Sequence, residues 1–226
     1  MPYFAGKGYD TYALSLRGHG GSEGRERLRW HSIADYVQDV AWAVRQIGKP
    51  SLIVGHSMGG FITQKYLETH SAPAAVLLTP VPYYGLWHST WQVFRRHPLI
   101  VLRVLATMRL YPVVETPQLA QEGLFSKDMP AEKVKEYHQR LQDESFRAYL
   151  DELGLNLVHP HRVKTPLMVV GAENDAVVPL KTVRDTARAY GTEAIILPGL
   201  AHDVMLDPQW QAAADCILGW LAERGL

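Results

Sequence analysis

Ser57 stands in Leu52-Ile53-Val54-Gly55-His56-Ser57-Met58-Gly59-Gly60, a β-type run that ends in G-x-S-x-G and is followed directly by a helical pattern, Phe61 to Glu68. Strand, sharp turn and helix in that order suit a nucleophilic serine. The turn lifts the hydroxyl above the strand end, and the helix N-terminus favours developing negative charge. Gly55 and Gly59 are the small residues this turn is expected to use. A hydroxyl attacks poorly until a positioned base takes its proton, so an imidazole and an orienting carboxylate must accompany Ser57. The run Leu167 to Val170 leads into Gly171-Ala172-Glu173-Asn174-Asp175, which makes Asp175 the acid, with Glu173 its rival in the same loop. After the run Ala194 to Leu197 comes Pro198-Gly199-Leu200-Ala201-His202-Asp203, which makes His202 the base. The N–H of Met58, the residue after the nucleophile, is a donor for an oxyanion.

Other reactive side chains have plainer readings. His159-Pro160-His161 resembles two metal ligands, but no third acid or imidazole stands at ligand spacing, so no metal is expected. His56 reads as a packing residue turned away from the site, and Asp203 and Asp207 as part of a helix start at Pro208. Gly18 to Gly24 fits neither G-x-G-x-x-G nor a P-loop, which argues against a nucleotide. Cys216, the single cysteine, falls on an apolar helical stripe with Ile217, Trp220 and Leu221 and reads as a core thiol. No cofactor is implied.

The elements that must position these residues are short apolar runs alternating with helical patterns. Thr11 to Leu16, Ser51 to Val54, Ala74 to Leu78, Leu167 to Val170 and Ala194 to Leu197 read as strands. Ile33 to Ile47 carries an apolar stripe of helical spacing, with Ser32 to Asp35 as its capping box. The fold class is therefore α/β, a mostly parallel sheet with helices on both faces. Between Pro80 and Pro160 only helical patterns occur, so residues 81–160 read as a helical insertion into a core formed by 1–80 and 161–226. Within it Trp87, Trp91 and Phe94 share one helical stripe, Leu99 to Leu110 continues the pattern, Asp128-Met129-Pro130 opens a further helix, and a last stripe ends at Gly154. Tyr84, Trp87 and Trp91 are candidate substrate contacts, a role that competes with packing inside the insertion itself.

Composition bounds the partners. The 226 residues carry 23 Lys and Arg against 23 Asp and Glu, so no net field favours nucleic acid. The N-terminus lacks the basic start and apolar run of a signal peptide, from which a cytoplasmic location is expected. Leu99 to Leu110 contains Arg103 and Arg109 and is too short to span a bilayer. Arg95, Arg96, Arg103 and Arg109 read either as a solvated face or as a contact with an anionic lipid surface.

Taken together, the Ser15-Leu16-Arg17-Gly18-His19-Gly20 loop, the Gly55–Gly60 elbow, the Asn174–Pro179 acid loop and the Leu200–Asp203 histidine loop resemble the α/β-hydrolase superfamily over nearly the whole chain. The first of these loops is similar to that of monoacylglycerol-lipase-like esterases. The resemblance implies that 81–160 is that family's cap, and that Ser57, Asp175 and His202 form a catalytic triad. It also implies three further strands and a His-Gly loop ahead of Gly8, which this chain is expected to lack. That loop supplies the second oxyanion donor in the family, and His19-Gly20-Gly21 is its candidate replacement. Ser15 stands where the family carries an aspartate. The activity implied is a serine hydrolase that cleaves carboxylic esters with an apolar acyl or alcohol part through an acyl-enzyme. Thioesterase, C–C hydrolase, peptidase and acyltransferase chemistry, and a weakly active ligand-binding role, stay open beside it. The expected partner is a lipophilic small-molecule ester; the oligomeric state is open.

Overall fold

A computed structural model describes residues 1–226. In chain order the elements are α1 (Pro2–Ala5), α2 (Ile33–Ile47), β1 (Ile53–His56), α3 (Met58–Leu67), β2 (Ala75–Leu78), α4 (Trp87–Arg96), α5 (Pro98–Thr107), α6 (Pro117–Leu124), α7 (Ala131–His138), α8 (Phe146–Leu150), β3 (Leu167–Ala172), α9 (Leu180–Ala189), β4 (Ala194–Leu197) and α10 (Trp210–Ala222).

The four strands form one parallel sheet in the order β1-β2-β3-β4, with His56 beside Leu78 and Leu78 beside Val170 in the register. Parallel strands covered on both faces should be apolar throughout. Every residue of β2 and β3 is buried accordingly. Val76, Leu78, Met168 and Val170 pack on Ile217, Trp220 and Leu221 of α10, with half-buried Cys216 against the same cluster. Ala75, Leu77, Leu167 and Val169 pack on Tyr66 and Leu67 of α3 and Val183 and Ala187 of α9. The parallel α/β class expected from the alternation is the class observed.

α2 begins and ends where its sequence dictates. Ser32 Oγ accepts from the Asp35 N–H, Asp35 Oδ2 accepts from the Ser32 N–H, and Gly48 closes the helix at φ 67°. Between β2 and β3 there is no strand, only α4 to α8 and short helical turns. One of these turns, Asp151–Leu155, ends the α8 segment with Gly154 at φ 149°. It is tied to the core, because Asp151 Oδ2 accepts from the Ile33 N–H at 3.0 Å.

One expected strand does not form. Thr11 to Leu16 runs without strand pairing, which leaves β1 at the sheet edge and its Val54 54% exposed. A β-type run becomes a strand only when a neighbour supplies its ladder partners. Here the chain is held from the helix side instead. Asp39 of α2 accepts from the Arg17 N–H and guanidinium, and Asp35 accepts a further guanidinium bond.

Candidate active site

The C-terminal ends of the strands converge on one place. Ser57 follows β1 directly, at φ 51° and ψ −119°, and its N–H donates to the Leu78 carbonyl, so the ladder holds it up to the point of the turn. Positive φ is uncommon for a residue with a side chain and concentrates at functional sites. The Ser57 carbonyl accepts from the N–H groups of Gly60, Phe61 and Val81, which locks the turn from two sides. Gly55 is required: a Cβ there would lie 2.3 Å from Thr63 Oγ1 and 2.4 Å from the Gly59 carbonyl oxygen. Gly59, the other glycine expected to matter, has open space around it. The second tight position is Gly60, where a Cβ would meet Pro80 at 2.7 Å.

His202 Nε2 lies 2.9 Å from Ser57 Oγ, and its Nδ1 lies 2.9 Å from Asp175 Oδ2. The imidazole side chain is 3% exposed and the carboxylate 1%. Asp175 sits in the turn after β3, where its Oδ1 accepts from the N–H groups of Val177 and Val178 and so leaves Oδ2 for the imidazole. The rival Glu173 faces away; its Oε2 accepts from the Gly199 N–H. Burial works against a charged His202, but the charge and hydrogen bond of Asp175, with the charge of Asp203, carry its pKa above the ordinary 6.5. Met58 is the first residue of α3, so its N–H has no acceptor within the helix and stands beside the nucleophile. The arrangement can abstract the serine proton, orient the imidazole and present a helix N-terminus to new negative charge.

Two residues lie nearer the chemistry than the sequence suggested. His56 is not turned away: its ring centroid is 4.9 Å from that of His202, and its Nε2 lies 3.0 Å from the His202 carbonyl oxygen. Asp203 is not part of a helix start; its Oδ1 is 3.7 Å from His56 Nε2, and burial pushes its carboxyl up to about 6. Asp207 does serve the start of the last helix, accepting from the Gln209 N–H. His56, His202 and Asp203 form the one compact cluster of metal-ligand types, yet Ser57 and Asp175 already engage both ring nitrogens of His202. The His159–His161 pair surrounds no such centre. The His159 N–H donates to Glu68 Oε1, and the two rings meet edge to face.

Other candidates are held elsewhere. His19 pairs with Glu144 at 3.2 Å and its ring meets Tyr36, so this side chain is engaged by those two residues. Trp87 and Trp91 are 65% and 57% exposed, with Trp91 stacked on Phe94, whereas Tyr84 is half-buried against Tyr83. A recess of about 70 Å³ between α4, α5 and α6 reaches Ala176 and Val177, next to Asp175. A larger one, about 410 Å³, opens at the opposite strand ends around Pro50, Ile53 and Pro73, away from the triad. Arg96 pairs with Glu122, Arg103 with Glu115 and Arg109 with Asp143, so three of the four arginines are committed to partners within the segment.

Residues 1–209 match the family model Hydrolase_4, described as serine aminopeptidase, S33. A monoacylglycerol lipase of Mycolicibacterium smegmatis is 25% identical over 239 residues, covering 98% of this chain and 81% of that protein. Among solved structures, a monoacylglycerol lipase of Paleococcus ferrophilus superposes with a TM-score of 0.73 at 20% identity, covering 98% of this chain and 86% of that one. A thermophilic esterase of Thermogutta terrifontis superposes at 0.69 and 17% identity, covering 92% and 78%. The fold is thus that of the α/β-hydrolases.

Proposed function

The chain belongs to the Hydrolase_4 family and is a serine hydrolase, and from that premise we propose that it cleaves carboxylic esters with an apolar acyl or alcohol part. The observation that carries the reading is the continuous relay Asp175–His202–Ser57, with both links at 2.9 Å and both partners of the serine buried. Ser57 Oγ attacks the ester carbonyl while His202 Nε2 takes its proton. The negative oxygen forms beside the Met58 N–H, the alcohol leaves with the proton from His202, and water activated by the same imidazole releases the acid. The residues need no cofactor for any of these steps.

Helices α4 to α8, within residues 81–160, form the cap of this reading and select the substrate. Tyr84 is its inner aromatic, while Trp87 and Trp91 present apolar surface to the apolar part of an arriving ester or to the lipid surface that holds it. Both lipases named above act, by their names, on monoacylglycerols, which supports a lipophilic ester over an amino-terminal peptide. The test is a series of p-nitrophenyl esters from C2 to C8 beside an aminoacyl p-nitroanilide. Each buried CH₂ is worth about 0.8 kcal/mol, so kcat/KM should rise with chain length and the anilide should be a poor substrate. A flat or falling series, or a faster anilide, would reverse the assignment.

A further inference from the structure

His56 and Thr79 stand one register position apart at the ends of neighbouring strands. His56 closes β1 opposite Leu78, and Thr79 follows Leu78 directly. Thr79 is fully buried, its N–H donates to the Val170 carbonyl at 2.7 Å, and its φ is 41°. Positive φ in a β-branched residue is an outlier that persists only where the surroundings hold it, and such residues gather at functional sites. What the unusual backbone achieves is visible in the side chain: Thr79 Oγ1 donates to the His202 carbonyl at 3.2 Å. His56 Nε2–H donates to the same oxygen at 3.0 Å.

That carbonyl is already served by its own loop, because the Val204 N–H donates to it at 2.9 Å. A carbonyl has two lone pairs, so three donors exceed what satisfying a buried acceptor requires. The bond from Val204 lies within the histidine loop and cannot locate it. The other two come from the sheet that also carries Ser57. We propose that His56 and Thr79 are positioning residues, which clamp the backbone of His202 to the ends of β1 and β2 and thereby keep its Nε2 in register with Ser57 Oγ. The proposal rests on the reading of His202 as the base for Ser57.

The groups around His56 suit it to the task. Burial first, then the neighbouring His202, push its pKa down to about 3 and hold the ring neutral, and because the His202 carbonyl can only accept, the contact selects the tautomer with its proton on Nε2. Asp203 Oδ1 lies 3.7 Å away, and the Asp203 N–H ties the other side of the loop to the Leu124 carbonyl. Thr79 has no titratable group at all, so one arm of the clamp is independent of pH.

The experiment compares Thr79→Val with Thr79→Ser and His56→Phe with His56→Gln, the second of each pair restoring a donor. Turnover of p-nitrophenyl butyrate, the rate of fluorophosphonate labelling of Ser57 and Tm are measured for each. Displacements near 1 Å at a reacting centre cost up to about 100-fold. Thr79→Val and His56→Phe should therefore lose about 10- to 100-fold in kcat and in labelling rate, with KM within about twofold. Thr79→Ser and His56→Gln should recover most of the loss. An unchanged kcat in the donor-free variants, or a loss that the donor-bearing variants share, overturns the clamp. Should Thr79→Val fail to fold, the His56 pair decides by the same criteria. Ser57→Ala separates the two levels: if it is inactive while the clamp variants are unaffected, only this inference fails, and if it retains turnover, the hydrolase reading itself fails.

Discussion

The strand-end cluster around Ser57 and the paired helices α4 and α5 are built on opposite terms. In the first, almost every polar atom has a fixed partner: Ser57, Asp175 and His202 are held by at least two hydrogen bonds each, through backbone or side chain, and the Asp175 and His202 side chains are withdrawn from water. In the second, Trp87, Trp91, Leu99, Leu102 and Leu105 are each more than half exposed. The strand-end cluster is over-determined and α4–α5 is not. On the proposed ester hydrolysis, the reacting groups need placing within tenths of an ångström whereas recognition of an apolar chain needs only area, a division that would put the tight placement at the strand ends.

The sharpest test of that contrast is to remove one atom from the ordered side. Ser57→Ala should lower kcat by about 10⁶ with little change in Tm, and turnover within about tenfold of the native enzyme would break the comparison at its strongest point. Asp175→Asn should cost about 10⁴, while Glu173→Gln, which loses a charge but keeps an oxygen to accept from the Gly199 N–H, should stay within about twofold. The pH profile reads the same relay. His202 accepts a proton only while neutral, and its pKa lies above 6.5, so kcat/KM should fall on the acid side with a midpoint above that value. Asp203→Asn removes one of the charges that raise it and should move the midpoint toward lower pH, by less than Asp175→Asn does.

Substitutions on α4 should behave in the opposite way. Trp87→Ala with Trp91→Ala should leave Tm nearly unchanged, since exposed positions contribute within about 0.5 kcal/mol. The same change should flatten the rise in kcat/KM from C2 to C8 esters several-fold. A large loss of stability would mean that these rings are core and would erase the contrast. The smallest effect is expected at Glu152, buried after α8 with Oε1 unpartnered. Burial first, then Glu144 and Asp151, hold its carboxyl well above 4.5. The unfolded chain releases this proton at lower pH than the folded one, so the residue removes stability as pH rises above the unfolded value. Glu152→Gln should therefore gain Tm over the native enzyme between pH 5 and pH 8, by about 2–4 °C if the gain is near 1 kcal/mol. A constant difference across that range would show that Glu152 does not titrate there.

Much of this was legible in the residues. Helix Ile33–Ile47 carries its own stripe, capping box and closing glycine, so local rules set its bounds. The elbow, the acid loop and the histidine loop are each short motifs whose turn chemistry is written in adjacent residues. Their identity, their order and the parallel α/β class therefore follow from the sequence alone. Thr11 to Leu16 has the composition of a strand and does not become one, because pairing depends on a neighbour that no local pattern can supply. Gly60 rather than Gly59 is the tight position because Pro80, twenty residues on, packs against it. The Trp87–Phe94 stripe has helical spacing whichever way it faces, and only packing shows that it faces water. His56 and Thr79 meet on one carbonyl oxygen because β1 and β2 lie side by side beneath the histidine loop, at sequence separations of 146 and 123 residues. Local propensity acts over a few residues and decides which groups the chain carries. The register of a parallel sheet is a non-local choice, and it decides which of those groups touch.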